Sequence, residues 1–168
     1  MEIWDLYTVD RKLTGRSHVR GDKIPEGFFH LVVHVWIKNS NGEYLISQRS
    51  ATRPTFPLMW ETVGGSVVAG EDSLTGAIRE AKEEVGIDLA PKNGKLCFSK
   101  VRRIVEEKPF NDILDVWCFS YDGPVSIQNA TTDEVSQFRW MSPFEIHKLM
   151  DSGKFVDTLA YFFEEIEK

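Results

Sequence analysis

Several things are scarce in this sequence. It has two cysteines and four histidines in 168 residues. Cys97 and Cys118 have no metal-ligand spacing, which argues against a cysteine-bound zinc. Both lie in strand-like runs and read as core thiols. No apolar stretch approaches the ~18 residues that a membrane-spanning helix takes, so no membrane association is expected. An excess of basic charge is also missing. Twenty Lys and Arg against 26 Asp and Glu leave a net charge of −6, so a nucleic-acid surface is not expected either. The first residues include Glu2 and Asp5 and lack an apolar h-region, so no signal peptide is expected, and the default location is cytoplasmic. There is no internal repeat, low-complexity tract or linker. One domain over residues 1–168 follows, with 1–27 as an N-terminal extension and 142–168 as C-terminal helices.

What the chain does have is concentrated between Gly65 and Ile87. Leu74, Ala77, Ile78, Ala81 and Val85 recur at helical spacing and make an apolar stripe. Asp72 or Ser73 can cap the start of that helix, and Gly86 can stop it. Glu80, Glu83 and Glu84 are spaced so that their carboxylates leave one side of the helix together. Like charges so placed repel by roughly 0.2–0.5 kcal/mol per pair, so a cation between them is the natural complement. Oxygen-only ligands suit Mg²⁺ or Mn²⁺ rather than Zn²⁺. Gly64 and Gly65 precede the helix in a glycine-bounded loop, where backbone can approach a ligand closely.

Gly65, Glu71, Arg79-Glu80-Ala81-Lys82-Glu83-Glu84 and Val85-Gly86-Ile87 match the Nudix box at every fixed position. The chain therefore resembles Nudix hydrolases, with the box at 64–87. The resemblance implies an α+β fold: an α/β/α sandwich with a mixed β-sheet. It implies hydrolysis of a nucleoside diphosphate linked to another group X, by water attack on phosphorus. It implies that Glu80, Glu83 and Glu84 ligate Mg²⁺ or Mn²⁺, with the backbone carbonyl of Gly64 or Gly65. Arg79 then fixes the Glu80 carboxylate, and Glu71 packs at the helix start. The general base varies in the family. Glu134 is the candidate here, because it stands six residues before Trp140, as the loop glutamate does in MutT-like enzymes. Asp112 and Asp115 are weaker candidates. Arg49 and Arg53, in the stretch before the box, are candidates for holding phosphates. Trp36 and Trp60 read as core.

The expected strands are Ile3–Val9, Phe28–Ile37, Tyr44–Gln48, a short extended piece at Met59–Val63, Leu96–Val105, Ile113–Tyr121 and Gln137–Met141. Asn41-Gly42 marks a hairpin. Residues 15–27 read as an irregular loop with basic character, and 106–112 as a loop. Ser142-Pro143-Phe144-Glu145 announces a short helix. Phe155, Leu159, Phe162, Phe163 and Ile166 suggest an amphipathic C-terminal helix, able to close the core or to face a partner chain.

A second resemblance runs from about Ile3 to Phe144. Trp4-Asp5-Leu6-Tyr7, Gly15-Arg16, the Arg20-Gly21 loop and the His30 strand resemble Nudix proteins related to isopentenyl-diphosphate isomerase. Isomerase chemistry requires a cysteine acid and a histidine-rich metal site. Here Gly64 stands in the place of that cysteine and Ser66 in the place of a metal-binding histidine. The box, by contrast, is intact. The resemblance thus implies a hydrolase, with isomerase-like activity or non-catalytic nucleotide binding as the alternatives. His30 and His34 read as hydrogen-bonded, half-buried histidines. The identity of X and the oligomeric state are left open.

Overall fold

The computed structural model describes residues 1–105 and 108–168. Strand β3 (His30–Lys38) is the hub. It runs parallel to β8 (Lys108–Ser120) from His30↔Asp112 to Lys38↔Ser120. Its other edge is shared. β6 (Val63–Ser66) pairs with it from Val32↔Ser66 to Val35↔Val63, and β4 (Tyr44–Arg49) leaves it at Lys38↔Tyr44. β4 in turn carries β9 (Val135–Met141) and the two-residue β5 (Trp60–Glu61). β7 (Gly94–Val105) closes the far edge against β8. A separate two-stranded hairpin, β1 (Ile3–Tyr7) with β2 (Leu13–Val19), is tied to the body by Tyr7 and Phe29.

Side chains alternate along a strand, and β3 uses both faces. Leu31, Val33, Val35 and Ile37 point to one side and meet Ala77, Ala81 and Val85 of α1 (Ser73–Val85). Trp36 points to the other and meets Phe155, Phe162 and Ile146 of α2 (Pro143–Asp151) and its sequel. This is the α/β/α sandwich with a mixed sheet. Each fully buried aliphatic or aromatic side chain contributes about 1.5–3 kcal/mol, so the two layers hold each other through their apolar faces. α1 is capped as the sequence indicates. Asp72 accepts from the Thr75 N–H at 2.7 Å, and Gly86 takes φ 70°, a left-handed conformation that glycine adopts without penalty. Ser142 and Glu145 form the capping box of α2.

Four expectations need correction. The first part of the 15–27 loop is strand β2, because the edge of β1 finds its hydrogen-bond partners there. Of the expected loop at 106–112, residues 106 and 107 lie outside the described residues, and 108–112 belong to β8, which pairs with both β3 and β7. The C-terminal segment is no regular α-helix. A 3₁₀ turn at Asp157–Leu159 and a π-turn at Phe162–Ile166 fold around the Trp36 aromatic cluster. Phe155 and Phe162 are buried there, so this segment closes the core. Finally, Cys97 and Cys118 are not separate core thiols. They are half-buried on adjacent strands, with Cα atoms 6.3 Å apart, and are joined as a disulfide. Among the described residues no helix is long and apolar enough to cross a membrane.

Candidate active site

The box folds as a strand, a loop and a helix. β6 brings Gly64 and Gly65 alongside β3, and α1 returns Glu80 and Glu84 over them. The two glycines meet different neighbours. A Cβ on Gly65 would lie 2.5 Å from the carboxyl carbon of Glu80. A Cβ on Gly64 would point the other way, 2.6 Å from the Val33 carbonyl oxygen and 3.2 Å from Cδ2 of His34. Position 64 thus has no room for the side chain that an isomerase cysteine would need, and the two cysteines of the chain lie elsewhere, on β7 and β8, joined to each other.

Arg79 organises the carboxylates. Its Nε donates to Glu71 at 3.0 Å and its Nη1 to Glu80 and Glu83 at 3.0 and 2.9 Å. Its Nη2 donates to the Ser66 carbonyl at 2.9 Å. The planar fork therefore ties loop, strand and helix together. Glu71 also accepts weakly from the Val68 N–H at 3.4 Å, at the entry to α1.

Glu84 is buried, and it accepts only a long contact from the Gly64 N–H at 3.4 Å. Burial pushes its carboxyl well above the usual carboxylate range, and the charges of Glu61, Glu80 and Glu134 push it further. Burial likewise raises Glu80 to about 7, although Arg79 opposes the shift. Glu61 on β5 is raised by burial in spite of Arg49, whose Nη1 lies 2.7 Å from its carboxylate. Glu134 is placed where its charge acts on Glu61, Glu80 and Glu84, and it pairs with Arg53 at 3.0 Å. Glu83 binds the next loop through its backbone, its carbonyl accepting from the Thr131 and Thr132 N–H groups.

The structure therefore links Arg53, Gly64, Gly65, Arg79, Glu80, Glu83, Glu84 and Glu134, with Arg49 through Glu61, in one cluster of interacting residues. Two alternatives for the base are otherwise engaged. Asp112 is buried in an ion pair with Arg102 at 2.7 Å, and Asp115 is held by Arg11 and Ser99. Glu61 was missed by sequence reasoning. Its position in Trp60-Glu61 carries no spacing signal, and only the pairing of β5 with β4 turns it toward α1. His34 donates to or accepts from the Tyr161 hydroxyl at 2.8 Å, as expected of a hydrogen-bonded histidine. Nδ1 of His30, in contrast, has no partner, and the ring stacks on Trp4.

The donor set suits a hard divalent cation: several carboxylates, two of them buried, beside glycine backbone. Among the described residues, no three acid, histidine or cysteine side chains already converge as a metal would need, since Glu80 and Glu83 are turned toward Arg79. The ligands fit in kind, and rotation about side-chain torsions is what would bring them together.

A family model described as the NUDIX domain matches residues 28–160. A Nudix hydrolase of Listeria monocytogenes is 36% identical over 97% of this chain and 91% of its own length. A crystallised protein of Deinococcus radiodurans, 22% identical, has the same fold, with a TM-score of 0.72 over 92% of both chains. So does a bifunctional NMN adenylyltransferase/ADP ribose pyrophosphatase of Francisella tularensis, solved with AMP and a Mn ion. It is 22% identical, with a TM-score of 0.58 over 81% of this chain and 41% of that one.

Proposed function

The chain belongs to the Nudix family of hydrolases acting on phosphoric anhydrides, and on that premise we propose that it is a metal-dependent pyrophosphohydrolase of nucleoside diphosphates linked to a group X. The observation that supports the metal dependence is the gathering of Glu80, Glu83 and Glu84 around Gly64 and Gly65, with Glu80 and Glu84 raised above the usual carboxylate range by burial and by neighbouring carboxylates.

Glu80, Glu83 and Glu84, with the Gly65 carbonyl, are the residues that would hold Mg²⁺ or Mn²⁺. Bound there, the ion screens the charge of the phosphates and makes water more acidic. Arg79 holds Glu80 and Glu83 in place until they are needed, and its contacts to Glu71 and Ser66 keep it fixed. Glu134 accepts the proton of the attacking water. The new P–O bond forms as the bridging anhydride bond breaks, and the leaving phosphate oxygen keeps the electron pair. Arg53 offers a guanidinium to the phosphates. The pairing of AMP with a Mn ion in the Francisella protein fits a nucleotide substrate and a divalent cation for this chain as well.

The isomerase reading has no observation in its favour. No thiol is present at position 64, and a side chain there would collide with the β3 backbone. The test is product analysis, for release of nucleoside monophosphate with phosphorylated X, phosphate or pyrophosphate, on a panel of nucleotides, nucleotide sugars and dinucleotides, with Mg²⁺, with Mn²⁺ and with EDTA, beside an isopentenyl-diphosphate isomerisation assay. Metal-dependent release from one class is the expected result. Isomerisation without hydrolysis would sink the proposal.

A further inference from the structure

Arg49 and Arg53 come from the same stretch and face the same carboxylates, but they are held differently. Arg49 uses three donors. Its Nε and Nη2 go to the Thr55 carbonyl and hydroxyl at 2.9 and 3.2 Å, and its Nη1 goes to Glu61 at 2.7 Å. It locks the loop before β5. Among the described residues Arg53 has one ionic partner, Glu134 at 3.0 Å, and its Nε is buried with no hydrogen-bond partner. Its side chain is 22% exposed against 12% for Arg49. The two loops are joined independently of that ion pair, because the Ser50 N–H donates to the Glu134 carbonyl at 2.8 Å and the Arg53 N–H donates to the Ser50 carbonyl at 3.2 Å. The Arg53–Glu134 side-chain contact can therefore open while the backbone stays in place.

The energetics favour an exchange. A single-contact, partly exposed ion pair is worth about 0–1 kcal/mol. A phosphate accepts two guanidinium donors side by side and carries more charge than one carboxylate. Once released, Glu134 stands where its charge already acts on Glu80 and Glu84. We propose that Arg53 is a positioning residue that trades Glu134 for a substrate phosphate, so that filling the phosphate site sets the Glu134 carboxylate free to face the attacking water. This rests on the hydrolase reading above and adds to it a coupling: a pyrophosphate group and Glu134 compete for one guanidinium. Catalysis by Glu134 is then contingent on an occupied phosphate site, which disfavours idle proton transfer in the empty cleft.

Competition makes a prediction that a merely structural ion pair does not. Removing the Glu134 charge should tighten anion binding, because Arg53 is then unengaged. The probe is inorganic pyrophosphate in EDTA, titrated calorimetrically into wild type, Glu134→Gln, Arg53→Ala, Arg53→Lys and the double variant Arg53→Ala/Glu134→Gln, each first checked for a cooperative melt. Glu134→Gln should bind roughly 5-fold tighter, the equivalent of ~1 kcal/mol. Arg53→Ala should bind weaker, with partial rescue by Arg53→Lys. In the Arg53→Ala background, Glu134→Gln should change affinity by less than about 2-fold. Should Arg53→Ala not fold, Arg53→Gln takes its place. A gain that persists without Arg53 would mean only general charge repulsion, and no gain at all would mean no competition; either overturns the inference. Binding here needs no turnover. A protein that hydrolyses nucleotides but shows no coupling defeats this inference alone, and coupling in a protein that hydrolyses none of the panel defeats the hydrolase reading alone.

Discussion

The two faces of β3 carry buried ionisable groups of opposite kind, acids on one and bases on the other, and burial shifts both toward their neutral forms. On the α1 side, Glu80 and Glu84 are acids held above their ordinary range by burial. On the other side, His30 and His34 are bases held below theirs, to about 4 and about 3, again chiefly by burial and secondarily by the Arg102 charge. The first set has Arg79 beside Glu80, but its carboxylates also press on one another, and Glu61, Glu80 and Glu134 all raise Glu84. The second set is content as neutral rings, one stacked on Trp4 and one bonded to Tyr161, which also accepts from Trp36 Nε1 at 3.0 Å. The lesson is that burial alone does not mark a site. Several carboxylates gathered against one another do, whereas separate rings held neutral by stacking or a hydrogen bond are part of the core.

The neighbouring glycines offer the strongest way to break this contrast, since each faces one side. Gly65→Ala should push the Glu80 carboxylate aside and lower kcat/KM by about 100-fold with little change in stability, because the group displaced is the far end of a flexible side chain. Gly64→Ala should instead press on the β3 backbone and cost about 1–3 kcal/mol of stability. Thermal melts and steady-state kinetics on the pair check both. If Gly65→Ala kept full activity, the placement of Glu80 in the chemistry would be wrong.

A second effect is expected on the histidine face. His30 has a folded pKa of about 4 against an ordinary 6.5, so the unfolded chain takes up its proton first as pH falls. Its contribution to stability is present above pH 6.5 and is lost as pH drops toward 4. The full difference is on the order of 3 kcal/mol. Urea denaturation at pH 7 and pH 4.5 should show His30→Gln losing less stability than wild type over that interval. Equal losses would mean that His30 is not held neutral. The smallest effect is that of Tyr161→Phe. It strands the Trp36 N–H and should cost about 1–2 kcal/mol, with activity changed by less than about 2-fold. A large loss of kcat in that variant would extend the catalytic region across the sheet.

Much of the α1 side was legible in the sequence because its determinants are local. The capping Asp72, the apolar stripe, the left-handed Gly86 and the glutamates at helical spacing all lie within one short segment. The box resemblance implied that Arg79 holds Glu80, and that ion pair is found; its further pairs with Glu71 and Glu83 were not foreseen. What escaped was long-range. The Glu61 orientation depends on a two-residue strand pairing with β4, and the engagement of Arg49 and Arg53 by Glu61 and Glu134 joins segments far apart in sequence. The Cys97–Cys118 pairing depends on the register of β7 against β8, which no spacing reveals. The C-terminal aromatics had the right pattern for a helix. Their packing on Trp36 and Tyr44 overrode that periodicity and broke the segment into turns.

The most direct measurement is the steady-state hydrolysis rate of wild type and Glu84→Gln on the best substrate of the panel, in Mg²⁺ and in EDTA, with melting curves of both proteins. Wild type should be active only with the metal. Glu84→Gln should lose about 1,000-fold or more in kcat while melting no lower than wild type in EDTA, since burial already favours the neutral carboxyl there and the amide matches its shape. Undiminished turnover in EDTA, or by Glu84→Gln with Mg²⁺, would contradict the assignment of the carboxylate cluster as the metal-dependent centre.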